Sequence, residues 1–280
     1  MIGPLARDVV DGGAASPSSS AGRGQLGCSR FQPRIGGGPW YAARALRALR
    51  QEAMVVAKCG EPERHSYRRH LAALGLPISL AVAGETTAFS FRYDADGSRE
   101  MSVDAVGEPW EEGDEPERAL RRVEWVHVAP LLRDDFPVET LERIGRRRRL
   151  LFDGHGLVRA RRLGPLVLDS DFDRTLLRHV SILKLAEEEA HTILGHDDLE
   201  ELRELGVPEV VVTFGARGSL VLTRDTAVRI SAPAVRGDPT GAGDAFSVAY
   251  LSARAGGHSP TSAARRASAL VSALLEATAR

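Results

Sequence analysis

Cysteine is nearly absent: Cys28 and Cys59 are the only two in 280 residues, too few for a disulfide framework or a cysteine-rich metal site. The eight histidines have no zinc-site spacing, and His191 and His196 read as solvated surface on a polar helix. Neither sign of charge is in excess, with 37 Lys and Arg against 38 Asp and Glu; that balance argues against nucleic acid as a partner. No apolar run approaches the ~20 residues a helix needs to cross a bilayer. Residues Met1 to Val10 carry Arg7 and Asp8 where a secretory leader is apolar. The expectation is a soluble, cytoplasmic protein with no membrane partner. With 43% apolar residues, a chain of this length buries most of its surface, so one domain over 1–280 is expected, with at most a small appendage.

What the chain does have is concentrated in Gly237-Asp238-Pro239-Thr240-Gly241-Ala242-Gly243-Asp244-Ala245-Phe246. Three small residues, Gly241, Ala242 and Gly243, open an apolar run, Ala245 to Leu251, that reads as a helix. The first amides of a helix lack intrahelical partners and stand at the positive end of its dipole, so this turn suits a phosphate or another oxyanion. At this level Asp244, in the first turn, is either a capping carboxylate or an acceptor for the proton of an attacking hydroxyl.

The run Asp-x-Thr-Gly-Ala-Gly-Asp-Ala-Phe resembles the C-terminal motif of the ribokinase-like (PfkB) family of carbohydrate and nucleoside kinases. The resemblance implies transfer of the ATP γ-phosphoryl group to a substrate hydroxyl, with Asp244 as base and residues 241 to 244 as an anion hole. It also implies a doubly wound, mostly parallel α/β sheet flanked by helices, with a small β lid. Asp238 and Thr240 match family positions linked to a monovalent cation, which implies K⁺.

Other segments fit the same resemblance. Gly3 and Asp8 are spaced as in the family's first strand-to-loop segment, which makes Asp8 a candidate for binding substrate hydroxyls, although most of the strand expected before Gly3 is missing. Residues 12 to 27 are rich in Gly, Ser, Ala and Pro and read as a linker, in a place where relatives have a lid strand. Ile35-Gly36-Gly37-Gly38-Pro39-Trp40-Tyr41 enters an Ala-rich helix with proline in its first turn. This is similar to the family's N-terminal Gly-Gly motif, with Gly36 and Gly37 approaching the substrate. Tyr41 takes the place of the family's Asn, and Trp40 reads as a core residue.

Thr86 to Tyr93 and Arg99 to Val103 alternate with period two around a turn at Asp94 to Gly97 and read as a β-hairpin. The resemblance makes it part of the lid, which is expected within 12–36 and 84–105 and is a candidate surface for homodimer pairing. From Val123 onward strands and helices alternate, as a doubly wound sheet requires. The strand Leu150 to Phe152 ends at Asp153, and strand ends gather ligands in such sheets, so Asp153 is a candidate for the substrate cleft and Arg159 a weaker one. Arg146 to Arg149 reads as a solvated helix end.

Ser181 to Leu185 leads into Ala186-Glu187-Glu188-Glu189, where the family has Asn-x-x-Glu. Glu189 corresponds to the Glu that holds Mg²⁺ through water, with Glu187 as a neighbour; Ala186 replaces the Asn. Mg²⁺ keeps most of its waters and needs few carboxylates. Val210 to Ser219 resembles the nucleotide-phosphate loop, which places Thr213, Gly215 and Gly218 near the triphosphate, with Lys184 on the same side and Arg217 facing either phosphate or solvent. Val228 to Val235 and the helix Pro260 to Ala277 correspond to the adenine wall.

The acceptor implied is a sugar, an inositol-like polyol or a sugar acid. The alternatives are a nucleoside, or a catalytically degenerate sugar- or nucleoside-binding protein. The last is favoured by Ala186, the abrupt start and the Ser/Gly segment, and opposed by the intact Asp244 and anion-hole residues.

Overall fold

The structure, a computed structural model, describes residues 1–10, 33–93, 99–111, 119–234 and 239–278. In chain order it runs β1 (Ile2–Pro4), β2 (Ala6–Val10), β3 (Pro33–Gly36), α1 (Gly38–Leu49), β4 (Val55–Cys59), α2 (Arg64–Ala72), β5 (Ile78–Val82), β6 (Thr87–Tyr93) and β7 (Arg99–Ala105). It continues as β8 (Trp125–Val128), α3 (Val138–Gly145), β9 (Arg149–Asp153), α4 (His155–Val158), β10 (Gly164–Pro165), β11 (Ile182–Ala186) and α5 (Glu187–Leu194). The last part is β12 (Glu209–Thr213), β13 (Ser219–Thr223), β14 (Ala227–Ile230), α6 (Ala242–Ala255) and α7 (Pro260–Thr278).

Nine strands form the central sheet in the order β14-β13-β12-β11-β9-β8-β1-β4-β5. The strands from β12 to β5 are parallel, while β13 and β14 are antiparallel additions at one edge. Parallel strands are covered on both faces, and their sequences accordingly show continuous apolar runs. Leu150, Phe152, Leu183, Leu185, Val210 and Val212 pack on one face. Their alternates Leu151, Ile182 and Val211 pack on the other, against Phe246 and Tyr250 of α6 and Ala263 and Ala267 of α7. The fold is the ribokinase-like doubly wound α/β arrangement with a small second sheet.

That second sheet has the order β10-β7-β6-β2-β3. It departs from the expected bounds, because β2 and β10 lie outside 12–36 and 84–105. Residues 11–32 and the hairpin turn at 94–98 fall outside the described residues. The segment read as one strand-to-loop unit, Ile2 to Val10, is divided between sheets. Ile2–Pro4 pairs with β4 and β8 of the central sheet, whereas Ala6–Val10 pairs with β3 and β6. The first strand is therefore present, though only three residues long. The arginine run is also more ordered than a solvated helix end. Arg148 donates to the carbonyls of Leu120, Val123 and Ile144, and Arg149 lies over the Trp125 ring.

Candidate active site

The chain order of the central sheet reverses between β1 and β8, the kind of position where open α/β sheets bind ligands. A cleft of about 1410 Å³ opens here. Lys184, Ala186 and Thr213 line it from the carboxyl ends of β11 and β12, and Asp8, Phe89 and Phe91 from the second sheet.

Two of the helices that begin on this cleft are preceded by a glycine turn. α1 is preceded by Gly37 at φ 90 and α6 by Gly241 at φ 77, both in the left-handed half of backbone space, and neither helix has a side-chain cap. Glycine takes those angles without a steric penalty, so the chain turns sharply and presents bare amides. In α6, Ala242 N–H is taken by Pro239 O and Ala245 N–H by Gly241 O. The N–H groups of Gly243 and Asp244 have no backbone partner among the described residues. Asp244 reaches back toward α1, where a β-carbon on Gly38 would stand 2.9 Å from its Oδ1.

Behind Asp244 lies a buried polar cluster. Asp153 Oδ2 accepts a hydrogen bond from His127 Nε2 at 2.6 Å, and Oδ1 accepts one from Ser247 Oγ at 2.9 Å. Lys184 Nζ is 3.7 Å from Asp153 Oδ1. Burial opposes the Lys184 charge, but Asp153, Glu189 and Asp244 together outweigh it and raise its pKa. Burial also acts against an ionised Asp153, yet His127 and Lys184 hold its pKa well below the usual range. Asp244 is pushed up to about 6, first by burial and then by the negative charge of Asp153. A carboxylate that titrates near neutrality beside unpaired amides and an ammonium is equipped to take a proton from a hydroxyl and to tolerate a neighbouring anion.

The remaining candidates take different places. Asp8, Gly37, Tyr41, Thr213, Gly215, Thr240 and residues 241 to 244 line the cleft. Asp8 does so from β2 of the second sheet rather than from a loop after the first strand. Gly36 stands behind Asp8, where a β-carbon would fall 2.0 Å from Asp8 Oδ2. Tyr41 packs on Gly241, and a β-carbon there would overlap its ring at 2.3 Å. Trp40, expected in the core, is only partly buried; it lines the cleft and meets His70 edge-on.

Asp153 does not line the cleft: it is 1% exposed, because its strand ends beneath α6 rather than beside the opening. Gly218 likewise turns away from the cleft to sit against Ile230 O. Arg217 pairs with Glu187, which ties up the carboxylate expected beside the metal. Glu189 is buried, with Oε2 accepting from Ala186 N–H at 2.8 Å. Its Oε1 lies 3.1 Å from His155 Nε2 but has no hydrogen-bond partner. Such an orphaned buried carboxylate oxygen fits a water of a Mg²⁺ shell. Among the described residues no group of three or more His, Cys, Asp or Glu is arranged to hold a metal directly. Asp238 lies outside the described residues.

His127, His155 and Ser247 were missed by the sequence reading, and Arg159 was underrated. His155 and Arg159 line the cleft; burial pushes the His155 pKa well below its ordinary value, with Arg159 and Lys184 adding to the effect. A signal for one of them was present. His127 is a polar residue near the carboxyl end of an otherwise apolar parallel strand, where a side chain without a ligand-related role costs stability.

Comparison with known proteins agrees with this geometry. The family model described as pfkB family carbohydrate kinase matches residues 10–279. A nucleoside kinase of Methanothermobacter thermautotrophicus is 35% identical over 79 residues, which is 28% of this chain and 26% of that protein, so the chain matches about a quarter of that relative's length. A pyrophosphate-dependent kinase in the ribokinase family, solved as a sulfate complex, superposes with a TM-score of 0.80 at 25% identity, covering 98% of this chain and 94% of the other. A structure of a pyrophosphate-dependent kinase in that family, complexed with a pyrophosphate analog and myo-inositol, gives a TM-score of 0.80 at 24% identity over 98% of this chain and 94% of the other. With a family model spanning nearly all of it, and with the glycine turn and the carboxylate of its motif gathered at one cleft, this chain belongs to the pfkB family of carbohydrate kinases and is a phosphotransferase.

Proposed function

We propose that this kinase transfers a phosphoryl group to a hydroxyl of a small polyol or sugar, with Asp244 as the general base. The observation that carries this reading is the first turn of α6, where Asp244, raised to about 6, stands at two amides that have no backbone partner among the described residues and Lys184 comes close to Gly243. The acceptor oxygen bonds to phosphorus as its proton passes to Asp244. The bond from phosphorus to the donor's bridging oxygen breaks, and the electron pair leaves with the donor remnant. Charge on the transferred group is met by the Gly243 and Asp244 amides and by Lys184. Positioning and electrostatics of this kind supply most of the acceleration in phosphoryl transfer. Mg²⁺, when bound, would offset phosphate charge, with Glu189 holding one of its waters.

On the acceptor side, Asp8 supplies a hydroxyl-binding carboxylate, while Trp40, Phe89 and Phe91 offer apolar surface to ring C–H faces. That mixture suits a neutral polyol such as an inositol, and the second sheet beside it would exclude water on closing. The likeness to the nucleoside kinase over part of the chain makes a nucleoside the acceptor to test next.

The donor in the family's usual chemistry is ATP. None of residues 228 to 234 lines the cleft, whereas Val271, Leu274 and Leu275 of α7, the other part of the adenine wall, do, as do the phosphate-side residues Lys184, Thr213 and Gly215. Pyrophosphate is a second reading for the donor. The pyrophosphate dependence of the structure at 25% identity supports it.

The deciding experiment measures initial rates with MgATP and with magnesium pyrophosphate against hexoses, pentoses, inositols, sugar acids and nucleosides. Asp244→Asn is run in parallel, and K⁺ is exchanged for Na⁺ to test the cation role of Asp238 and Thr240. One acceptor whose turnover falls at least ~100-fold in a folded Asp244→Asn protein supports the reading. Near-normal turnover in that variant removes Asp244 from the mechanism. Binding of a sugar without turnover by any donor favours a degenerate binding protein.

A further inference from the structure

The cluster beneath the cleft follows from strand register. Lys184 and Asp153 are direct partners across the parallel pair β11 and β9, and His127 is opposite Leu151 across β8 and β9. Successive strand residues alternate faces, so His127, Leu151, Asp153, Ile182 and Lys184 all point to the same face of the sheet. The apolar members of that set pack against α6. At the carboxyl edge the same rows turn polar. Ser247 follows Asp244 by three positions on α6, so one helical face carries both the carboxylate at the cleft and the hydroxyl that reaches down to Asp153.

The burial of these groups demands a reason. His127 and Ser247 are 0% exposed, Asp153 1% and Lys184 4%. Taking an ion pair out of water is costly, and stability alone rarely offsets it. The geometry is also unlike that of a closed structural salt bridge. Both Asp153 oxygens are already hydrogen-bonded, by His127 and Ser247. The Lys184 ammonium stays at 3.7 Å, beyond hydrogen-bonding distance. Asp153 thus attracts the ammonium without consuming its donors. Lys184 remains on the cleft wall, close enough to the α6 turn that a β-carbon on Gly243 would be 3.1 Å from Nζ. The other charged or titratable groups acting on this ammonium include Glu189, Asp244, Arg159 and His155, and none of them is hydrogen-bonded to Asp153 among the described contacts.

We propose that Asp153, locked by His127 and Ser247, is the positioning residue for Lys184, anchoring its ammonium beneath the Gly241–Asp244 turn with all three N–H donors free for donor phosphates. A lysine has a flexible four-carbon stem and a point charge, so an ammonium meant to meet a phosphate at a fixed spot needs such an anchor. The proposal rests on the phosphotransfer reading for its functional meaning. The anchor itself is a property of the folded chain that can be read without turnover.

The test uses the full-length chain and the variants Asp153→Asn, His127→Gln and Ser247→Ala, with circular dichroism and thermal unfolding to confirm folding. Lys184 is labelled competitively with acetic anhydride at pH 9, and its modification is read by mass spectrometry against Nα-acetyl-lysine added as an internal standard, because the other lysine, Lys58, is itself buried. Loss of the anchoring charge in Asp153→Asn accelerates labelling about tenfold, the effect of roughly one pKa unit, while Ser247→Ala gives a smaller increase of about threefold on the same scale. Steady-state kinetics with magnesium pyrophosphate and with MgATP then show the donor KM rising about tenfold or more, and the acceptor KM staying within about twofold, as expected when only one bound group is misplaced.

Unchanged labelling in folded Asp153→Asn overturns the proposal. So does a loss of kcat with both KM values intact, because a merely structural role lowers the active fraction alone. If Asp153→Asn does not fold, Ser247→Ala and His127→Gln decide on the same readouts. If the parent protein phosphorylates nothing, the phosphotransfer reading fails while labelling still judges the anchor.

Discussion

Gly243 sits directly over Lys184, so that a β-carbon at position 243 would stand 3.1 Å from the lysine Nζ. The neighbour is the far end of a flexible side chain, so Gly243→Ala is accommodated by moving the ammonium rather than the backbone. The variant is expected to unfold within a few degrees of the parent, since the added β-carbon meets only the end of one flexible side chain and alanine suits a helical position better than glycine. Its kcat/KM is expected to fall about 10- to 100-fold, the scale of an ångström-sized misplacement at a reacting centre. Thermal unfolding and initial rates measured on one preparation separate the two effects.

The acid limb of the rate profile follows from Asp244. Its carboxyl is raised from 3.8 to about 6 by burial and by the charge of Asp153, and a general base works only when deprotonated. The kcat/KM is therefore expected to be level above pH 7 and to fall tenfold per unit below about 6. The same shift has a stability consequence of opposite sense. A folded-state pKa above the unfolded value favours the protonated fold, a contribution fully present below pH 3.8 and lost as pH rises through about 6. Asp244→Asn is thus expected to melt higher than the parent at pH 8, with the difference vanishing toward pH 4. Parallel melting curves check the sign.

Asp8 offers a separate handle on the acceptor. A β-carbon at Gly36 would come 2.0 Å from Asp8 Oδ2 and 2.5 Å from its Cγ, both side-chain atoms, so Gly36→Ala is expected to rotate the carboxylate rather than unpair β2 from β3. An acceptor KM raised about tenfold, with the donor KM unchanged, matches the loss of one hydrogen bond to a charged group. A rise in the donor KM instead would remove Asp8 from the acceptor side.

Arg161 fastens the segment after β7 to the body of the protein. It donates to Asp135 Oδ1 at 2.6 Å and to Gly107 O, while Asp135 Oδ2 accepts the Leu131 and Leu132 amides at 2.7 and 2.9 Å. Burial raises the Asp135 pKa against the pull of those amides and of Arg161. Arg161→Ala leaves a buried carboxylate without its cation, a change that costs about 3 kcal/mol. The loss is expected to be largest near pH 8 and to shrink as acid protonates Asp135. Urea titrations at pH 8 and pH 5 measure it.

The proposed phosphoryl-transfer centre was legible in the sequence as a turn at a helix start, because that information is local. A glycine turn before an apolar helix dictates bare amides at a positive helix end whatever the surroundings, so Gly241 to Asp244 needed no neighbours to be read. The hairpin Thr86 to Val103, the helices α1 and α7, and the alternation of strands and helices after Val123 were likewise written in period and turn chemistry. Arg217 and Glu187 were less legible: each looked free to meet a ligand, and only the packing of the loop after β12 on α5 brings them together.

The sequence alone therefore determined the kind of sheet, its glycine-capped helices and the carboxylate at the cleft. Only the tertiary structure decided the division of Ile2 to Val10 between two sheets, the withdrawal of Asp153 from the cleft, and the joining of His127, Asp153, Lys184 and Ser247. Register across parallel strands sets those contacts, and residues 94 positions apart, such as Asp153 and Ser247, meet only once the sheet has formed and α6 has packed on it. No local pattern encodes such a meeting.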